Sequence, residues 1–299
     1  MIHGIINVYK EKGFTSHDVV AKLRGIVGQK KIGHTGTLDP DATGVLPVCL
    51  GKATKLCDLL TDKNKTYEAV LLLGKTTDTQ DITGEVLEEK STEALTEEKV
   101  REAIEGFIGD YEQIPPMYSA LKVNGKKLYE LAREGKVLER KTRPVKILDI
   151  QILEIDLPKV RMEVSCSKGT YIRTLCHDIG EKLGCGGCME SLIRTRVSTF
   201  RIEDAKMLDE IETLKQEGKL AELLVPIDAM FPSYPKITVK DDWKAFAKNG
   251  NPLDLKMLKE ACGQDEETQV RLYDESGKFI AIYQWKEKKY HIVKMFFNE

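Results

Sequence analysis

Residues 31–52 read Lys-Ile-Gly-His-Thr-Gly-Thr-Leu-Asp-Pro-Asp-Ala-Thr-Gly-Val-Leu-Pro-Val-Cys-Leu-Gly-Lys, and this stretch decides how the rest of the chain is interpreted. Its glycines and prolines break helices and strands, and Asp39, which precedes Pro40, favours extended backbone. A turn is therefore expected to present the Asp39 carboxylate. From Gly44 onward an apolar run predicts a buried strand. The stretch is thus an anchored loop that carries a carboxylate, which makes it a candidate site.

Two short ligand-binding motifs do not fit this loop. A phosphate-binding P-loop has four residues between its glycines and a Ser or Thr after its lysine. In this chain Gly44 and Gly51 enclose six residues, and Lys52 is followed by Ala53. A calcium loop that began at Asp39 would need a glutamate at its twelfth position, where the chain has Leu50.

A third motif leaves an alternative open. Asp39-Pro-Asp-Ala-Thr43 resembles the Asp-x-Asp-x-Thr motif of haloacid-dehalogenase-like phosphotransferases, in which the first aspartate is a nucleophile and magnesium assists. In that family the motif follows a buried apolar strand, whereas Gly-His-Thr-Gly-Thr-Leu precedes Asp39 here. A magnesium-dependent aspartyl phosphotransferase is therefore a less favoured alternative, which activity insensitive to a chelator would exclude.

A longer match covers the same stretch. Residues 33–55 follow the pattern Gly-His-Thr-Gly-Thr-Leu-Asp-Pro-x-Ala-Thr-Gly-x-Leu-Pro-x-Cys-x-Gly-x-Ala-Thr-Lys. This pattern has few free positions, and it resembles the signature motif of the TruB family of tRNA pseudouridine synthases. Further segments that resemble family motifs are Lys65-Thr-Tyr67, Thr77-Asp-Thr-Gln-Asp-Ile-Thr-Gly84, Ser167-Lys-Gly-Thr-Tyr-Ile-Arg-Thr174 and Ser191-Leu-Ile-Arg-Thr-Arg196. The resemblance therefore extends over nearly the whole chain.

Composition limits the class of protein. The 299 residues, 41% of them hydrophobic, suffice for one large domain and one small one. Lys and Arg total 46 against 48 for Asp and Glu, so the global charge does not indicate a nucleic-acid partner. Seven irregularly spaced cysteines and the lack of a signal peptide or long apolar run predict a reduced, cytoplasmic protein without a membrane segment. Cys185-Gly-Gly-Cys188 lacks a second ligand pair for zinc, so no metal is expected.

The expected fold class is α/β, of the α+β kind. The resemblance implies a pseudouridine synthase catalytic domain over residues 1–230, built on a mixed, mainly antiparallel sheet. It also implies a small β-rich, PUA-like RNA-binding domain over residues 236–299. The Pro- and turn-rich residues 226–235 are expected to link the two domains.

Local patterns predict individual elements of the catalytic domain. Thr15 and Asp18 form the pattern of a capping box at the start of a helix. Alternation over residues 66–74 predicts a strand with Tyr67 on its buried side. A helix capped by Thr96 is expected to bury Val100, Ile104, Phe107 and Ile108.

The resemblance also implies site residues. Asp39, Tyr67 and Arg173 correspond to catalytic residues, and the substrate-binding residues are Lys10, His34, Thr37, Tyr67, Tyr171, Leu192 and Arg194. Arg173 is expected to hold Asp39 ionised, because an opposite charge at contact favours a carboxylate. Tyr67 is expected to stack on the target base and is a candidate for proton transfer at C5. Asp81 is expected near the site as a further charge.

From spacing alone, three of these residues have simpler interpretations. Lys10 is at a position typical of a solvated lysine, and Tyr67 and Leu192 are at positions typical of a core. The resemblance favours the active site for all three.

Residues 118–147 form a basic segment that the resemblance identifies as an RNA-gripping insertion. It has nine cations and three glutamates, in a chain whose net charge is −2. Together with Tyr118 and Tyr129 these cations suit an RNA backbone and unstacked bases. The residues expected to contact phosphates are Lys122, Lys126, Lys127, Arg133, Arg140, Lys141 and Arg143.

The implied reaction is isomerisation of uridine to pseudouridine at position 55 in the T loop of tRNA. It requires a nucleophile and a flipped base, and we expect no cofactor. The sequence leaves open whether Asp39 attacks C1′ of the ribose, attacks C6 of the uracil or abstracts a proton next to C1′. The expected partner is the T stem-loop of tRNA, and a monomer is expected. A different class, a tRNA-binding or RNA-folding module with a structural Asp39, would be excluded by formation of pseudouridine.

Overall fold

The computed structural model describes residues 1–123 and 125–297. Asn124 in the predicted insertion, and Asn298 and Glu299 at the end of the predicted PUA-like domain, lie outside the described residues. The strands are β1 (Gly4–Lys10), β2 (Ile32–His34), β3 (Thr43–Leu50), β4 (Lys65–Leu73), β5 (Lys75–Thr77), β6 (Val86–Glu89), β7 (Gly109–Gln113), β8 (Lys122–Val123), β9 (Lys126–Lys127), β10 (Arg143–Asp156), β11 (Lys159–Cys166), β12 (Gly187–Val197), β13 (Phe200–Arg201), β14 (Lys236–Val239), β15 (Leu258–Glu260), β16 (Gln269–Tyr273), β17 (Phe279–Lys286) and β18 (Lys289–Met295). The α-helices are α1 (Ser16–Val27), α2 (Cys57–Thr61), α3 (Glu97–Glu105), α4 (Leu128–Arg133), α5 (Ile172–Lys182), α6 (Leu208–Gln216) and α7 (Asp241–Lys248). No helix in the described part of the chain is long and apolar enough to cross a membrane.

The larger sheet carries the loop that contains Asp39 and the segments that contact it on neighbouring strands. Among the described residues it has nine strands, in the order β1-β3-β12-β4-β11-β10-β7, with β2 paired to β3 and β13 to β12. The pairs are antiparallel except that between β12 and β3, which is parallel. The expected fold class is therefore confirmed. The strands β3, β12 and β4 are neighbours in the sheet, although they are far apart in the chain. Side chains from all three can therefore lie next to the loop that precedes β3.

Strand β4 alternates as the sequence predicts. Tyr67, Ala69, Leu71 and Leu73 are all buried, and they pack with Leu175 and Ile179 of α5. Alternation places successive side chains on opposite faces of a sheet, so one face of β4 lies against the helix layer. Tyr67 therefore faces the interior, near the start of β4, where it pairs with Arg194 of β12.

The helix after Thr96 is shorter than its pattern predicted. Helix α3 ends at Glu105, and Val100 and Ile104 are buried while Phe107 is partly buried. The inclusion of Ile108 in the buried stripe is wrong, since its side chain is 45% exposed. The chain leaves helical geometry before Ile108, so the helical spacing no longer applies to that residue.

Helix α1 begins as the capping pattern predicts. The Thr15 hydroxyl accepts from the Asp18 backbone N–H, and the Asp18 carboxylate accepts from the Thr15 N–H, which forms a capping box. At the other end Gly28 adopts a left-handed conformation. The first turn of α1 also reaches the loop, because the Ser16 hydroxyl accepts from the Leu38 N–H at 2.9 Å.

The C-terminal part forms a second sheet. Its order is β15-β14-β16-β17-β18 within the described residues, and its core includes Tyr283 and Tyr290. The segment expected to be a linker is packed, since Ile227 and Phe231 are buried in a cluster with Ile282 and Phe296 of the second sheet. Tyr273 also donates to the Asp228 carboxylate at 2.6 Å. The β-rich C-terminal unit is thus present, while the domain boundaries at residues 230 and 236 stay a prediction.

Candidate active site

Hydrogen bonds hold the loop before β3 in a defined turn. The Ala42 N–H donates to the Asp39 carbonyl at 3.1 Å, and the Pro40 carbonyl accepts from the Gly13 N–H at 2.9 Å. Lys10 Nζ donates to the same Pro40 carbonyl at 2.9 Å. These bonds close a turn whose first residue is Asp39. The prediction that a turn presents this carboxylate is confirmed.

Gly44 allows the loop to pass close to β12. Its φ is +104°, and a Cβ atom there would lie 2.3 Å from the backbone oxygen of Arg194. A side chain would be strained by the backbone conformation and would collide with β12. Gly44 therefore permits the parallel pairing of β3 with β12 directly after the turn.

Arg194 is a buried support of the loop. Its exposed fraction is 1%. Its Nε donates to the Val45 carbonyl at 2.7 Å, and its Nη atoms lie 3.4 and 3.5 Å from the carbonyls of Thr37 and Gly36. The guanidinium thus binds three backbone acceptors, two in the loop and one at the start of β3.

Lys10 has a similar position. It is fully buried, and its ammonium donates to the carbonyls of Glu11 and Pro40. The interpretation of Lys10 as a solvated lysine is therefore wrong. Both Lys10 and Arg194 were expected to bind substrate, and that role stays a prediction. In the structure their donors bind backbone carbonyls of the loop and its flanking residues.

Asp39 and Arg173 form an ion pair. Arg173 Nε lies 3.1 Å from Asp39 Oδ2, and its Nη2 lies 3.4 Å from Oδ1. The Asp39 side chain is 43% exposed, whereas that of Arg173 is 7% exposed. The carboxylate is therefore bound on one side by a buried guanidinium and is exposed to solvent on the other. This arrangement leaves one side of Asp39 open to a substrate.

The remaining donors of Arg173 bind three other groups. Nη1 lies 3.2 Å from the Thr79 carbonyl and 3.4 Å from Asp81 Oδ2, and Nη2 lies 2.9 Å from the Tyr118 carbonyl. Asp81 is thus near the site, as expected. Arg173 also lies in the first turn of α5, where a cation needs an anion nearby, and two carboxylates meet that need. The guanidinium cannot rotate without losing several bonds.

Arg173 acts on the pKa of Asp39 in the expected direction, against a larger effect of burial. Burial is the largest influence and raises the pKa of Asp39 above its ordinary value, while Arg173 opposes this. Arg173 thus favours the ionised carboxylate, as predicted, but the net direction of the pKa is upward. The negative charges of Asp81 and Asp41 add to the effect of desolvation, while Lys10 lowers the pKa together with Arg173.

Tyr67 and Leu192 are largely buried side chains of one apolar cluster. Each is 8% exposed, and both belong to one cluster with Leu38 of the loop. Burial raises the pKa of Tyr67 to about 12, so its phenol is protonated at neutral pH. Tyr67 can therefore donate a hydrogen bond but does not supply a phenolate base.

Tyr171 lies directly before α5 and is anchored by its backbone. Its N–H donates to the Gln113 side-chain oxygen at 2.8 Å, and its carbonyl accepts from the Gln113 amide at 3.0 Å. The side chain is half-buried, and burial raises its pKa. Gln113 belongs to the edge strand β7, so two distant segments fix the position of Tyr171.

His34 and Thr37 lie on the loop itself. His34 is half-buried at the end of β2, and Thr37 is exposed. Burial lowers the pKa of His34, followed by the charge of His17, which favours a neutral imidazole. The role of both residues in substrate binding stays a prediction.

The basic insertion has a small core and an uneven charge pattern. Met117, Leu128 and Leu131 pack together, and Tyr129 lies beneath the cations of Lys127 and Arg133 at 5.2 and 5.5 Å. Lys122, Lys126, Arg133, Lys141 and Arg143 are exposed. Arg140 is different, because it donates to the Pro115 carbonyl at 3.1 Å and is partly buried. Arg140 thus supports the insertion as well as adding charge.

Sequence reasoning missed two contributions to the site. Lys65 is 7% exposed and donates to the carbonyls of Thr61 and Lys63, and burial lowers its pKa to about 8. In the sequence, the only feature that pointed to Lys65 was its place in the Lys-x-Tyr segment that resembles the family motif. The Tyr118 carbonyl, which accepts from Arg173, had no signal, because a backbone contact between distant segments leaves no pattern in side-chain identities.

Comparison with family models covers most of the chain. Residues 24–172 match the model described as TruB family pseudouridylate synthase (N terminal domain). Residues 173–232 match the model described as tRNA pseudouridylate synthase B C-terminal domain. The residues of the loop, of β4 and of β12 all fall within these matches.

Curated proteins of similar sequence have the same name. One, "tRNA pseudouridine synthase B" of Lachnoclostridium phytofermentans, is 58% identical over 307 residues, which cover 99% of this chain and 100% of that protein. Another of the same name, from Clostridium perfringens, is 42% identical over 300 residues and covers both chains completely.

Solved structures share the fold. A chain of the "Structure of H/ACA RNP bound to a substrate RNA containing 2'-deoxyuridine" matches with a TM-score of 0.72 and 26% identity, over 99% of this chain and 85% of that one. A chain of the "Crystal Structure of a Cbf5-Nop10-Gar1 Complex" matches with a TM-score of 0.72 and 29% identity, over 98% and 85%. Together with the full-length sequence matches, these similarities establish that the chain belongs to the TruB family of pseudouridylate synthases.

Proposed function

We propose that this chain isomerises uridine to pseudouridine in tRNA, at position 55 in the T loop, with Asp39 as the nucleophile. The observation that carries the proposal is the Asp39 carboxylate, 43% exposed and bound to a buried Arg173. Arg173 orients the carboxylate from the buried side, and the opposite side of the carboxylate is exposed. This arrangement suits attack on a bound nucleotide. The family membership and the names of the similar proteins support the reaction and the tRNA substrate.

The surroundings of Asp39 suit a flipped base. Tyr67 and Leu192 share an apolar cluster with Leu38, the residue before Asp39, and side chains of this kind suit stacking of an extruded uracil. Isomerisation breaks the bond from C1′ to N1 and forms a bond from C1′ to C5, after which the C5 proton must leave. The protonated Tyr67 phenol is suited to a hydrogen bond with a uracil oxygen. Whether Asp39 attacks C1′ or C6, or abstracts a proton next to C1′, stays open, and no cofactor is needed for these steps.

Three buried cations add positive charge to a site that also carries the carboxylates of Asp39, Asp41 and Asp81. Lys10, Lys65 and Arg194 are each less than a tenth exposed and lie behind the loop. Burial lowers the pKa of Lys10 and of Lys65 to about 8. Fixed positive charge near the reacting atoms would stabilise negative charge that develops on the base in the transition state. This role supplements their hydrogen bonds to the loop.

We further propose that the T stem-loop is bound between this site and the basic insertion. The exposed cations of residues 118–147 support contacts to phosphates, and the C-terminal sheet supports a PUA-like RNA-binding unit over residues 236–299. Asp39, Tyr67 and Arg173 come from a single chain, which supports a monomer, and a tRNA substrate supports a cytoplasmic location.

The proposal is tested with a synthetic T stem-loop that carries a tritium label at C5 of the target uridine. Pseudouridine formation releases the tritium, and we expect release by the wild type in the presence of a chelator. Asp39→Asn should bind the same RNA and release none. Binding without release by the wild type would favour an RNA-binding module, and chelator-sensitive phosphate transfer would favour the phosphotransferase alternative.

A further inference from the structure

His17 lies against His34, although no motif in the sequence includes it. The centroids of the two imidazole rings are 5.9 Å apart, and the ring planes make an angle of 75°, which is an edge-to-face arrangement. His17 lies in the first turn of α1, and its side chain is exposed. His34 ends β2 on the loop that carries Asp39. The start of α1 and the segment that leads into the Asp39 loop thus meet through these two rings.

Besides its contact with His17, the His34 ring has a hydrogen bond with the Gly36 backbone. Its Nδ1 is buried and has no hydrogen-bond partner among the described residues. One ring nitrogen therefore provides no directional bond to set the ring angle. The edge-to-face contact with His17 thus acts together with the Gly36 backbone in orienting the ring.

The charges around His34 favour its neutral form. Burial lowers the pKa of His34 most, and the positive charges of His17 and Arg194 lower it further. A hydrogen bond with the Gly36 backbone raises the pKa of His34, but the net shift of the pKa is downward. Asp18, the neighbour of His17 on α1, has its carboxylate in the capping box with Thr15. An uncharged, planar ring suits stacking against an unpaired base.

We propose that His17 is a positioning residue, which holds the His34 ring edge-on so that its face is ready to contact the substrate RNA. The inference rests on the proposed function, because the contact of His34 with RNA follows from the family resemblance. It adds a residue from α1 to the site and predicts an effect on binding, with no role in the chemical step.

The test compares His17→Ala, His17→Phe and the wild type. Phe keeps an aromatic ring at position 17 but removes the imidazole charge, whereas Ala removes both. Glu212→Ala is the control, because Glu212 is an exposed residue of helix α6, outside the residues proposed to bind RNA. Three quantities are measured for each protein: the Kd for a T stem-loop at several salt concentrations, the kcat at saturating RNA, and the titration of His34 by NMR of its ring protons.

We expect His17→Ala to weaken RNA binding about two- to tenfold, the size of one lost aromatic contact, with kcat unchanged. His17→Phe should retain most of the affinity. In both variants the pKa of His34 should rise, because a nearby positive charge is gone, and the control should match the wild type.

Other results would overturn the inference. If His17→Phe loses as much affinity as His17→Ala and the salt dependence falls, His17 contacts a phosphate directly. If His34 titrates identically in all proteins, the ring contact is absent in solution. Failure of the proposed function would appear separately, as RNA bound by the wild type without formation of pseudouridine.

Discussion

Arg173 holds Asp39 through two nitrogen atoms, with Nε 3.1 Å from Oδ2 and Nη2 3.4 Å from Oδ1. The same guanidinium reaches the Tyr118 carbonyl at the start of the basic insertion, at 2.9 Å. A movement of the insertion would therefore shift the guanidinium that binds the Asp39 carboxylate. The pair sets both the orientation of Asp39 and its tendency to ionise.

Replacement of Asp39 by Asn should abolish turnover. The amide is almost the same size but is neither a nucleophile nor a base, so kcat should fall by at least about 10³-fold. The Kd for the T stem-loop should change little, because the loop geometry is preserved. Tritium release and fluorescence anisotropy measure the two effects. Turnover within tenfold of the wild type would contradict the assignment.

Replacement of Arg173 should shift the pH dependence of activity. Because Arg173 opposes the rise in the pKa of Asp39, its loss raises that pKa further and protonates Asp39 at higher pH. The acid limb of kcat/KM against pH should therefore move to higher pH in Arg173→Met, with kcat lower by about 10²–10³-fold. Arg173→Lys is the control, since it keeps the charge and should move the limb less. An acid limb at the same pH in all three proteins would mean that another group controls it.

Tyr67→Phe should separate stacking from the role of the hydroxyl. The ring remains in place, so the affinity for RNA should be close to that of the wild type. If the phenol assists proton transfer, kcat should fall by about 10²-fold or more. Tyr67→Leu, which also removes the ring, should weaken RNA binding as well. Unchanged kcat in Tyr67→Phe would limit Tyr67 to packing and stacking.

Arg194→Met should destabilise the protein, although Arg194 lies beside the site. The substitution leaves the carbonyls of Val45, Thr37 and Gly36 without their donor, at a cost of about 2–4 kcal/mol. Urea unfolding measures this change. The matched control is Arg196→Met on the same strand, since Arg196 is exposed and its loss should change stability by less than about 0.5 kcal/mol. Equal stabilities of the two variants would show that the loop does not depend on Arg194.

Neutralising the basic insertion should reduce the salt dependence of RNA binding. Each lost phosphate contact lowers the slope of log K against log salt by about 0.7–0.9, so Lys122→Gln, Lys141→Gln and Arg143→Gln together should lower it by about 2. The control triple variant changes Lys206, Lys215 and Lys219, at or near the acidic helix α6, and should leave the slope unchanged. An unchanged slope in the first variant would remove these residues from the interface.

The sequence alone predicted the elements and the chemistry of the loop. Local patterns were sufficient for the capping box of α1 and the buried face of β4, because each depends on residues close together in the chain. The turn at Asp39 also follows from local rules for glycine and proline. The reaction came from the family resemblance, because no periodic pattern specifies what a carboxylate does.

Only the tertiary structure decided which residues far apart in the sequence contact one another and which become buried. Only the assembled fold shows that Lys10 and Arg194 are buried against backbone carbonyls of the loop, and that burial raises the pKa of Asp39 although Arg173 lowers it. The contacts of Arg173 with Tyr118 and of His17 with His34 likewise join segments far apart in sequence. Solvent exclusion and long-range contacts depend on how the strands assemble around the loop, and the sequence of any one segment does not contain that information.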